Sequence, residues 1–394
     1  MTLLIQNGRI INPNDRSERR ADLLVRDGVI EEIAESVCAE ADRVIDAAGA
    51  YCMPGFIDMH VHLRDPGLTY KEDIATGGAA AVHGGFTTIV AMPNTKPVAD
   101  CPEVIRYVQE KAAQVTKAHV LQVGSVTRGM EGSELSDIRG MAAAGCICLS
   151  EDGKSVMNAD LYRDAMRIAA EEHMTVLAHC EDINLVHGGV LNADVRAEEL
   201  GMPGITNAVE DVIVARDILL AKETGCRLHL CHCSTADSVK MVQMAKADGV
   251  SVTAEVCPHH FSMSSEEIPG DDANYKMNPP LRTAADVEAL KKGLSQDVMD
   301  VIATDHAPHS AQEKAKPLAE APSGMVGLET SLGATLTALY HTGEMDLSDI
   351  LKKMTFNPAC ILGIPKSRLS LGGEADFTIF DPNETWTVDP EQFS

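Results

Sequence analysis

A regular alternation of strand-like and helix-like segments through the middle of the chain constrains its fold more than any other feature. The strand-like segments are residues 55–63, 86–94, 119–127, 146–152, 175–181, 227–234, 250–260 and 298–306. Amphipathic or Ala-rich stretches separate most of them, at residues 71–83, 102–115, 161–172, 209–224 and 236–247. Eight strands with crossover helices predict an α/β fold, a closed parallel (β/α)8 TIM-type barrel.

An open, doubly wound parallel sheet is the main alternative architecture. That fold usually carries a Gly-rich G-x-G-x-x-G turn after a strand, where it binds a dinucleotide. No such motif follows a strand-like segment in this chain. The sequence therefore favours the barrel.

Both chain ends have a pattern that differs from the middle. The first fifty residues contain short strands, with a hairpin that turns at Asp27-Gly28. The last twenty-odd residues again predict strand, turn and strand. We therefore expect a small β-rich domain formed from residues 1–53 plus 364–394, beside a barrel of residues 54–363. The polar segment 310–323, after the last barrel strand, is predicted to be a loop over the site.

Charge and composition exclude several classes of partner. With 33 Lys and Arg against 59 Asp and Glu, the formal net charge is −26, which argues against nucleic acid. No stretch approaches the roughly 20 apolar residues of a membrane span, and the N-terminus lacks the basic and apolar regions of a signal peptide. Eleven cysteines without an evident disulfide framework favour a reducing cytoplasm. Five of them lie in predicted strands and are interpreted as small buried hydrophobes: Cys146, Cys148, Cys180, Cys231 and Cys233.

Histidines and aspartates fall at the ends of the predicted strands. His60 and His62 are two residues apart, so on a strand they project to the same side. Four more candidates end later strands: Asp152, His179, His232 and Asp305. Because a barrel builds its site at the C-terminal ends of its strands, we expect all six to converge. Imidazole and carboxylate are zinc ligands, and this number is enough for two neighbouring ions with an acidified water between them.

These segments closely resemble those of dihydroorotases of the bacterial long-chain type, within the amidohydrolase superfamily. The motifs that carry the resemblance are PGFIDMHVHLRDPG, GGFTTIVAMPNT, LSEDG, LAHCED, CHCSTADSV, YKMNPPLRT, IATDHAPH and GMVGLET. They span residues 54 to 330, and the β-rich ends fit the small composite domain of that family. The H-x-H pair is common to the whole superfamily, whereas MPNT, NPPLR and ATDHAPH together are much more specific.

The resemblance implies a role for each site residue. His60, His62, His179, His232 and Asp305 would be metal ligands and Asp152 the bridging ligand, in a site for one or two zinc ions. Many relatives bridge the two metals with a carboxylated lysine instead, and the nearest lysine, Lys154, remains a minor alternative to Asp152. Arg64, Asn94, Asn278 and His309 would bind the substrate and its carboxylate. His306, His259 and His260 are interpreted as structural, and Ser323 stands where many relatives carry a large apolar residue.

The activity that the resemblance implies is the reversible hydrolysis of (S)-dihydroorotate to N-carbamoyl-L-aspartate in de novo pyrimidine biosynthesis. Asp305 would be the catalytic residue that moves the proton from the attacking water to the leaving nitrogen. Three alternatives remain open: another cyclic amidohydrolase, such as an allantoinase or hydantoinase; a catalytically silent partner of aspartate transcarbamoylase; and an active enzyme that also docks on the transcarbamoylase. A homodimer is the expectation from the family.

Overall fold

Eight parallel strands close into a barrel in the computed structural model, which describes residues 1–365 and 369–394. In chain order the strands are β1 (Thr2–Asn12), β2 (Ser17–Arg26), β3 (Val29–Ala34), β4 (Arg43–Asp46), β5 (Tyr51–Pro54), β6 (Phe56–Val61), β7 (Phe86–Ala91), β8 (His119–Gln122), β9 (Gly124–Ser125), β10 (Cys148–Ser150), β11 (Thr175–Ala178), β12 (Leu191–Asn192), β13 (Gly204–Ile205), β14 (Arg227–Leu230), β15 (Val252–Val256), β16 (Val301–Ile302) and β17 (Phe377–Phe380).

Helices alternate with these strands through the barrel. They are α1 (Ile74–His83), α2 (Pro102–Val115), α3 (Ile138–Ala143), α4 (Ala159–Glu171), α5 (Val195–Glu199), α6 (Ala208–Thr224), α7 (Ala236–Ala247), α8 (Pro258–Ser262), α9 (Ala284–Ser295), α10 (Ala311–Lys314), α11 (Ser331–Thr335), α12 (Leu347–Met354) and α13 (Phe356–Leu362). A π-helical turn, Leu336–Tyr340, continues α11. Within the described residues, no helix combines the length and apolar character that crossing a bilayer requires.

The barrel closes through a main-chain contact between its first and last strands. β6, β7 and β8 pair in order, and β9, β10, β11, β14, β15 and β16 pair in order after them. β8 and β9 are two parts of one strand, interrupted at Val123, whose N–H still donates to Ala91 O at 2.9 Å. Beyond β16, His306 O accepts from His62 N at 2.8 Å, which joins the last strand to the first. The predicted closed parallel barrel is confirmed.

The observed strands end earlier than the sequence pattern predicts. The segment predicted as 250–260 ends at Val256, because Pro258 begins α8 at a position where a helix needs no N–H. The segment predicted as 175–181 ends at Ala178. The polar motifs therefore lie on loops that follow the strands. The helix bounds agree more closely, and α2 and α7 coincide with the predicted ones.

Apolar side chains fill the inside of the barrel and the layer between strands and helices. Ile57, Val90, Leu177 and Val301 are among the interior residues and are fully buried. Removing one such large side chain typically costs about 2–5 kcal/mol, because a cavity remains. The strand ends above this layer are therefore held on a rigid support.

The two chain ends build one sheet, in the order β17-β5-β1-β2-β3, with β4 paired to β1. The predicted hairpin joins β2 and β3, and both of its turn residues have positive φ, +49° at Asp27 and +81° at Gly28. A second C-terminal strand after β17 was also predicted, and this is wrong. Residues 385–388 form no ladder, and Trp386 instead lies beside α11. The domain boundaries at 53/54 and 363/364 remain a prediction.

Candidate active site

Five barrel strands bring six polar side chains together at the C-terminal mouth. His60 lies near the end of β6, and the other residues follow β6, β10, β11, β14 and β16 within a few positions. All six are buried: His60, His62, Asp152, His179, His232 and Asp305. They are the six residues that the sequence singled out as metal ligands.

The two histidines of β6 face both aspartates. His60 Nε2 lies 3.1 Å from Asp152 Oδ1 and 3.5 Å from Asp305 Oδ1. His62 Nε2 lies 3.1 Å from Asp305 Oδ1 and 3.4 Å from Asp152 Oδ2. Both imidazoles therefore direct the same ring nitrogen at the same pair of carboxylates.

The second pair of histidines, His179 and His232, also approaches Asp152. His179 Nδ1 lies 2.9 Å from His232 Nε2, and these atoms are 3.5 Å and 3.7 Å from Asp152 Oδ1. Asp152 is thus close to both histidine pairs, as a ligand shared by two ions would have to be.

The donor set and its unsatisfied atoms fit a metal centre. His60, His62 and Asp305 place their ligand atoms within 4.8 Å of one another, and so do His60, Asp152 and His232. His60 Nε2 and Asp152 Oδ1 are buried and form no hydrogen bond. Buried polar atoms normally have a partner, so these two atoms indicate a ligand. Imidazole and carboxylate together suit zinc.

Glu255, a residue that the sequence analysis missed, supports His60 from the side away from the cluster. Its Oε1 accepts from His60 Nδ1 at 2.8 Å and from the backbone N–H of His232 at 3.1 Å. Its Oε2 contacts His229 Nε2 at 3.0 Å. A carboxylate on the far nitrogen of a histidine fixes the tautomer and ring orientation, which leaves His60 Nε2 for a metal. The available signal was one acidic residue inside the apolar strand β15.

Glu181 has the same relation to His179, and it too was overlooked as a functional residue. Its Oε2 lies 3.1 Å from His179 Nε2, so that His179 Nδ1 is the nitrogen that faces Asp152. Burial lowers the pKa of His179, but Asp152 and Glu181 outweigh it and raise that pKa to about 10. The metal-free cluster therefore holds protons that a metal would displace.

The backbone at three site residues is in the left-handed region. φ is +60° at Arg64, +33° at His232 and +48° at Asp305. Residues other than glycine rarely adopt such values, and they do so mainly where the surrounding structure holds a side chain in a special direction. The turns that end β6, β14 and β16 thus aim these side chains into the mouth.

All four predicted substrate residues line one cavity beside the cluster, with a volume of about 220 Å³. They are Arg64, Asn94, Asn278 and His309. Arg64 Nε donates to Pro308 O at 3.1 Å, which fixes the guanidinium at the cavity wall. The structure thus groups the residues that the sequence assigned to the substrate, next to the candidate metal ligands.

Asn94 also contacts the cluster directly. Its Oδ1 lies 2.9 Å from His62 Nδ1, and its Nδ2 lies 3.3 Å from Asp152 Oδ2. This amide therefore orients His62 as Glu255 orients His60. The sequence suggested only the contact with substrate.

The remaining candidates lie outside the cluster. Lys154 Nζ donates to Met130 O at 3.1 Å, whereas the carboxylate of Asp152 lies within 4 Å of all four histidines of the cluster. His306 contacts Glu72 at 3.0 Å and accepts from Gly327 N, which is a structural arrangement. His260 Nε2 donates to Pro279 O at 2.9 Å.

All eleven cysteines are free. The five that were interpreted as buried hydrophobes are buried. Cys231 packs in the barrel interior and Cys233 in the layer outside it. Burial raises the pKa of both thiols. These thiols therefore pack as apolar groups.

Sequence comparison links the chain to one group of proteins. A family model described as dihydro-orotase-like matches residues 49–238. The dihydroorotase of Pelotomaculum thermopropionicum is 47% identical over 100% of this chain and 92% of its own length. The dihydroorotase of Geobacter metallireducens is 46% identical over 100% of this chain and 93% of its own length.

Solved structures of related hydrolases share the fold. L-hydantoinase (dihydropyrimidinase) from Arthrobacter aurescens superposes with a TM-score of 0.87 at 28% identity, over 99% of this chain and 89% of that one. Dihydropyrimidinase from Brevibacillus agri superposes with a TM-score of 0.85 at 22% identity, over 100% and 89% of the two chains. The second likeness bears on the fold alone.

Proposed function

The chain belongs to the dihydroorotase family of cyclic amide hydrolases, and from that premise we propose that the barrel mouth interconverts (S)-dihydroorotate and N-carbamoyl-L-aspartate in de novo pyrimidine biosynthesis. The observation that carries this proposal is the convergence of all six candidate ligands beside a cavity lined by Arg64 and His309. A site for metal-assisted attack on a cyclic amide and a site for a carboxylate are thus adjacent.

Zinc is the metal that we propose, in two positions that share Asp152. His60, His62 and Asp305 would hold one ion, and His179 and His232 the other. Bound zinc acidifies a water molecule and polarises a carbonyl group, which is the chemistry that ring opening needs. Glu255, Glu181 and Asn94 keep the ligating nitrogens directed inward.

Arg64 and His309 bind and orient the substrate in this proposal. Dihydroorotate carries one carboxylate, and a buried guanidinium can grip it with two parallel N–H donors. Asn278, on the same cavity wall, offers an amide to the ring. Held in this way, the ring would present its amide carbonyl to the cluster, so that orientation contributes to the rate.

Asp305 moves the proton. Burial raises its pKa, but His60 and His62 outweigh that effect and lower it to about 2, so the group is a carboxylate at neutral pH. It can therefore accept the proton of the attacking water as the new C–O bond forms. It then gives that proton to the ring nitrogen as the C–N bond breaks. Cyclisation follows the same steps in reverse.

A catalytically silent role beside aspartate transcarbamoylase is disfavoured, because a silent barrel would be expected to lose ligands and all six are present here. An active enzyme that also docks on the transcarbamoylase, or forms a homodimer, is compatible with the site. The cytoplasm is the compartment that we propose, since the substrate pair belongs to nucleotide biosynthesis.

The test is an assay of zinc-loaded protein with dihydroorotate and with carbamoyl-aspartate, using allantoin and hydantoin as controls. Metal content is measured on the same sample. We expect turnover of dihydroorotate alone, lost on chelation. Turnover of hydantoin in its place would replace this function with that of the structural relatives. No turnover in a metal-loaded sample, restored by added aspartate transcarbamoylase, would show a partner-dependent enzyme.

A further inference from the structure

Lys71 contacts His309 at the edge of the substrate cavity. Its Nζ lies 3.0 Å from His309 Nδ1, and its side chain is only 12% exposed. Lys71 precedes α1, on the segment that follows β6, whereas His309 lies on the loop after β16, the strand beside β6 where the barrel closes. The sequence analysis assigned no role to Lys71.

The partners of His309 agree on one tautomer. A lysine ammonium can only donate, so Nδ1 must accept and the ring hydrogen must lie on Nε2. Nε2 in turn lies 2.8 Å from Ser323 O, a carbonyl that can only accept. Burial, with Arg64 and Lys71, lowers the pKa of His309 to about 4, and Glu313 acts in the opposite direction. The ring is thus neutral, with its hydrogen toward the cavity wall.

Glu313 connects Lys71 to the segment over the cavity. Its Oε1 lies 3.1 Å from Lys71 Nζ and accepts from Tyr70 Oη at 3.3 Å. Its Oε2 accepts from Ser310 N at 3.0 Å and so caps the start of α10. Lys71 therefore holds His309 and α10 in one arrangement.

Gly324 allows the loop to lie close to His309. Its φ is +139°, and a Cβ there would lie 2.6 Å from Ala307 O and 3.0 Å from His309 Nε2. The loop and the imidazole are therefore packed against each other at the cavity wall. A substrate carboxylate that reaches Nε2–H would compete with Ser323 O for this hydrogen.

We propose that Lys71 is a positioning residue for the substrate carboxylate, which holds His309 as the Nε2–H tautomer and ties it to α10. The inference rests on the proposed use of this cavity for the substrate. Lys71 Nζ contacts His309 and Glu313, and neither of these residues belongs to the candidate metal ligands. Its contribution is to binding, and the proton transfer by Asp305 does not depend on it.

Steady-state kinetics of the Lys71→Met variant test the positioning role of Lys71. We expect KM for dihydroorotate to rise about tenfold, the size of one hydrogen bond to a charged group, with kcat within about threefold and metal content unchanged. Lys71→Arg, which still donates, should restore most of the affinity. In a His309→Ala background, Lys71→Met should add little.

Lys314→Met is the control, because Lys314 Nζ donates to Gly324 O at 2.8 Å and its effect should persist without His309. An undiminished effect of Lys71→Met without His309 would overturn the proposal.

Nitrogen NMR of histidine-labelled protein gives a readout that does not depend on activity. The His309 signals are assigned by difference with His309→Gln. We expect an unprotonated Nδ1 in the wild type and a mixture of tautomers in Lys71→Met. A protonated Nδ1 in the wild type would refute the inference even in an active enzyme. The expected tautomers in a protein that leaves dihydroorotate untouched would instead refute the proposed function and leave the Lys71 contact standing.

Discussion

The two sides of the barrel mouth are supported in different ways. On the cluster side, the histidines lie at or just after the ends of strands, and three of them contact a supporting side chain: Glu255, Glu181 or Asn94. On the cavity side, Arg64 and His309 lie on loops and bond to main-chain carbonyls. The cluster is therefore pre-organised by the barrel, whereas the carboxylate pocket depends on loop contacts. We expect substitutions on the first side to change metal binding and turnover, and those on the second to change KM.

The largest expected effect comes from Asp305→Asn. An amide cannot accept the proton, so kcat should fall about 10³-fold, within the range for a lost general base. KM should change much less, because Arg64 still binds the carboxylate. Steady-state kinetics with metal analysis of the same sample measure both.

Asp300→Asn is the matched control for that variant. Asp300 precedes the same strand, pairs with Lys246 at 2.7 Å and lies at the opposite end of the barrel. Stability should decrease while turnover per folded enzyme persists. Undiminished turnover in Asp305→Asn would remove Asp305 from the proton transfer.

The metal-free protein should lose stability as pH rises. The pKa of His179 is raised to about 10 by Asp152 and Glu181 against the effect of burial, while an unfolded histidine titrates near 6.5. Its contribution is therefore complete below about pH 6.5 and is lost toward pH 10, at about 1.4 kcal/mol per pH unit. Denaturant unfolding of chelated protein at pH 7 and pH 9 should differ by roughly 100-fold in the unfolding constant.

His179→Asn should reduce this pH dependence in the chelated protein. Zinc-loaded wild-type protein should flatten it as well, since a metal ligand carries no proton at the bound nitrogen. Stability that rises with pH in the chelated protein would contradict the assignment of protons to this cluster.

Glu255→Gln should weaken metal binding by about 10- to 100-fold, the usual cost of removing the carboxylate behind a histidine ligand. The amide keeps the volume but offers one oxygen to His60, His229 and the N–H of His232. Competition against a chelator measures the affinity. Glu210→Gln is the control, because Glu210 is equally buried and binds Ser234 and Ser238 instead. Equal losses in both variants would mean that Glu255 only stabilises the fold.

Arg64→Lys tests the other side of the mouth. Lysine keeps the charge but loses the paired N–H donors, so KM should rise about tenfold with metal content unchanged. Arg216→Lys, at an arginine that pairs with Asp217, is the control. A drop in metal content without a change in KM would contradict the expectation that the cavity side affects substrate binding and the cluster side affects metal binding.

The sequence predicted the side chains that face the barrel mouth on both sides, and it missed the side chains that hold them in place. His60, Asp152, His179 and Asp305 could be placed together because barrel strands end at a common mouth, a rule that needs only strand order. The alternation of strand and helix patterns predicted the closed barrel, and Asp27-Gly28 predicted the hairpin between β2 and β3.

The supporting contacts depend on three-dimensional neighbours, and no spacing along the chain reveals them. Glu255 is 195 residues from His60, and Lys71 is 238 residues from His309. The predicted strand at 385–388 failed for a related reason: its pattern is strand-like, but no described strand lies beside it to complete a ladder.

Ser323→Ala should have the smallest effect. His309 uses the main-chain carbonyl of Ser323, which alanine retains, so KM should change by less than about threefold. Gly324→Ala is the contrast, because its Cβ would lie 2.6 Å from Ala307 O at φ +139°. Measuring KM for dihydroorotate in both variants shows whether the pocket depends on the Ser323 side chain or on the backbone of the loop. A large effect of Ser323→Ala would show that the pocket depends on the side chain of the loop as well as its backbone, and the cavity side would then resemble the cluster side.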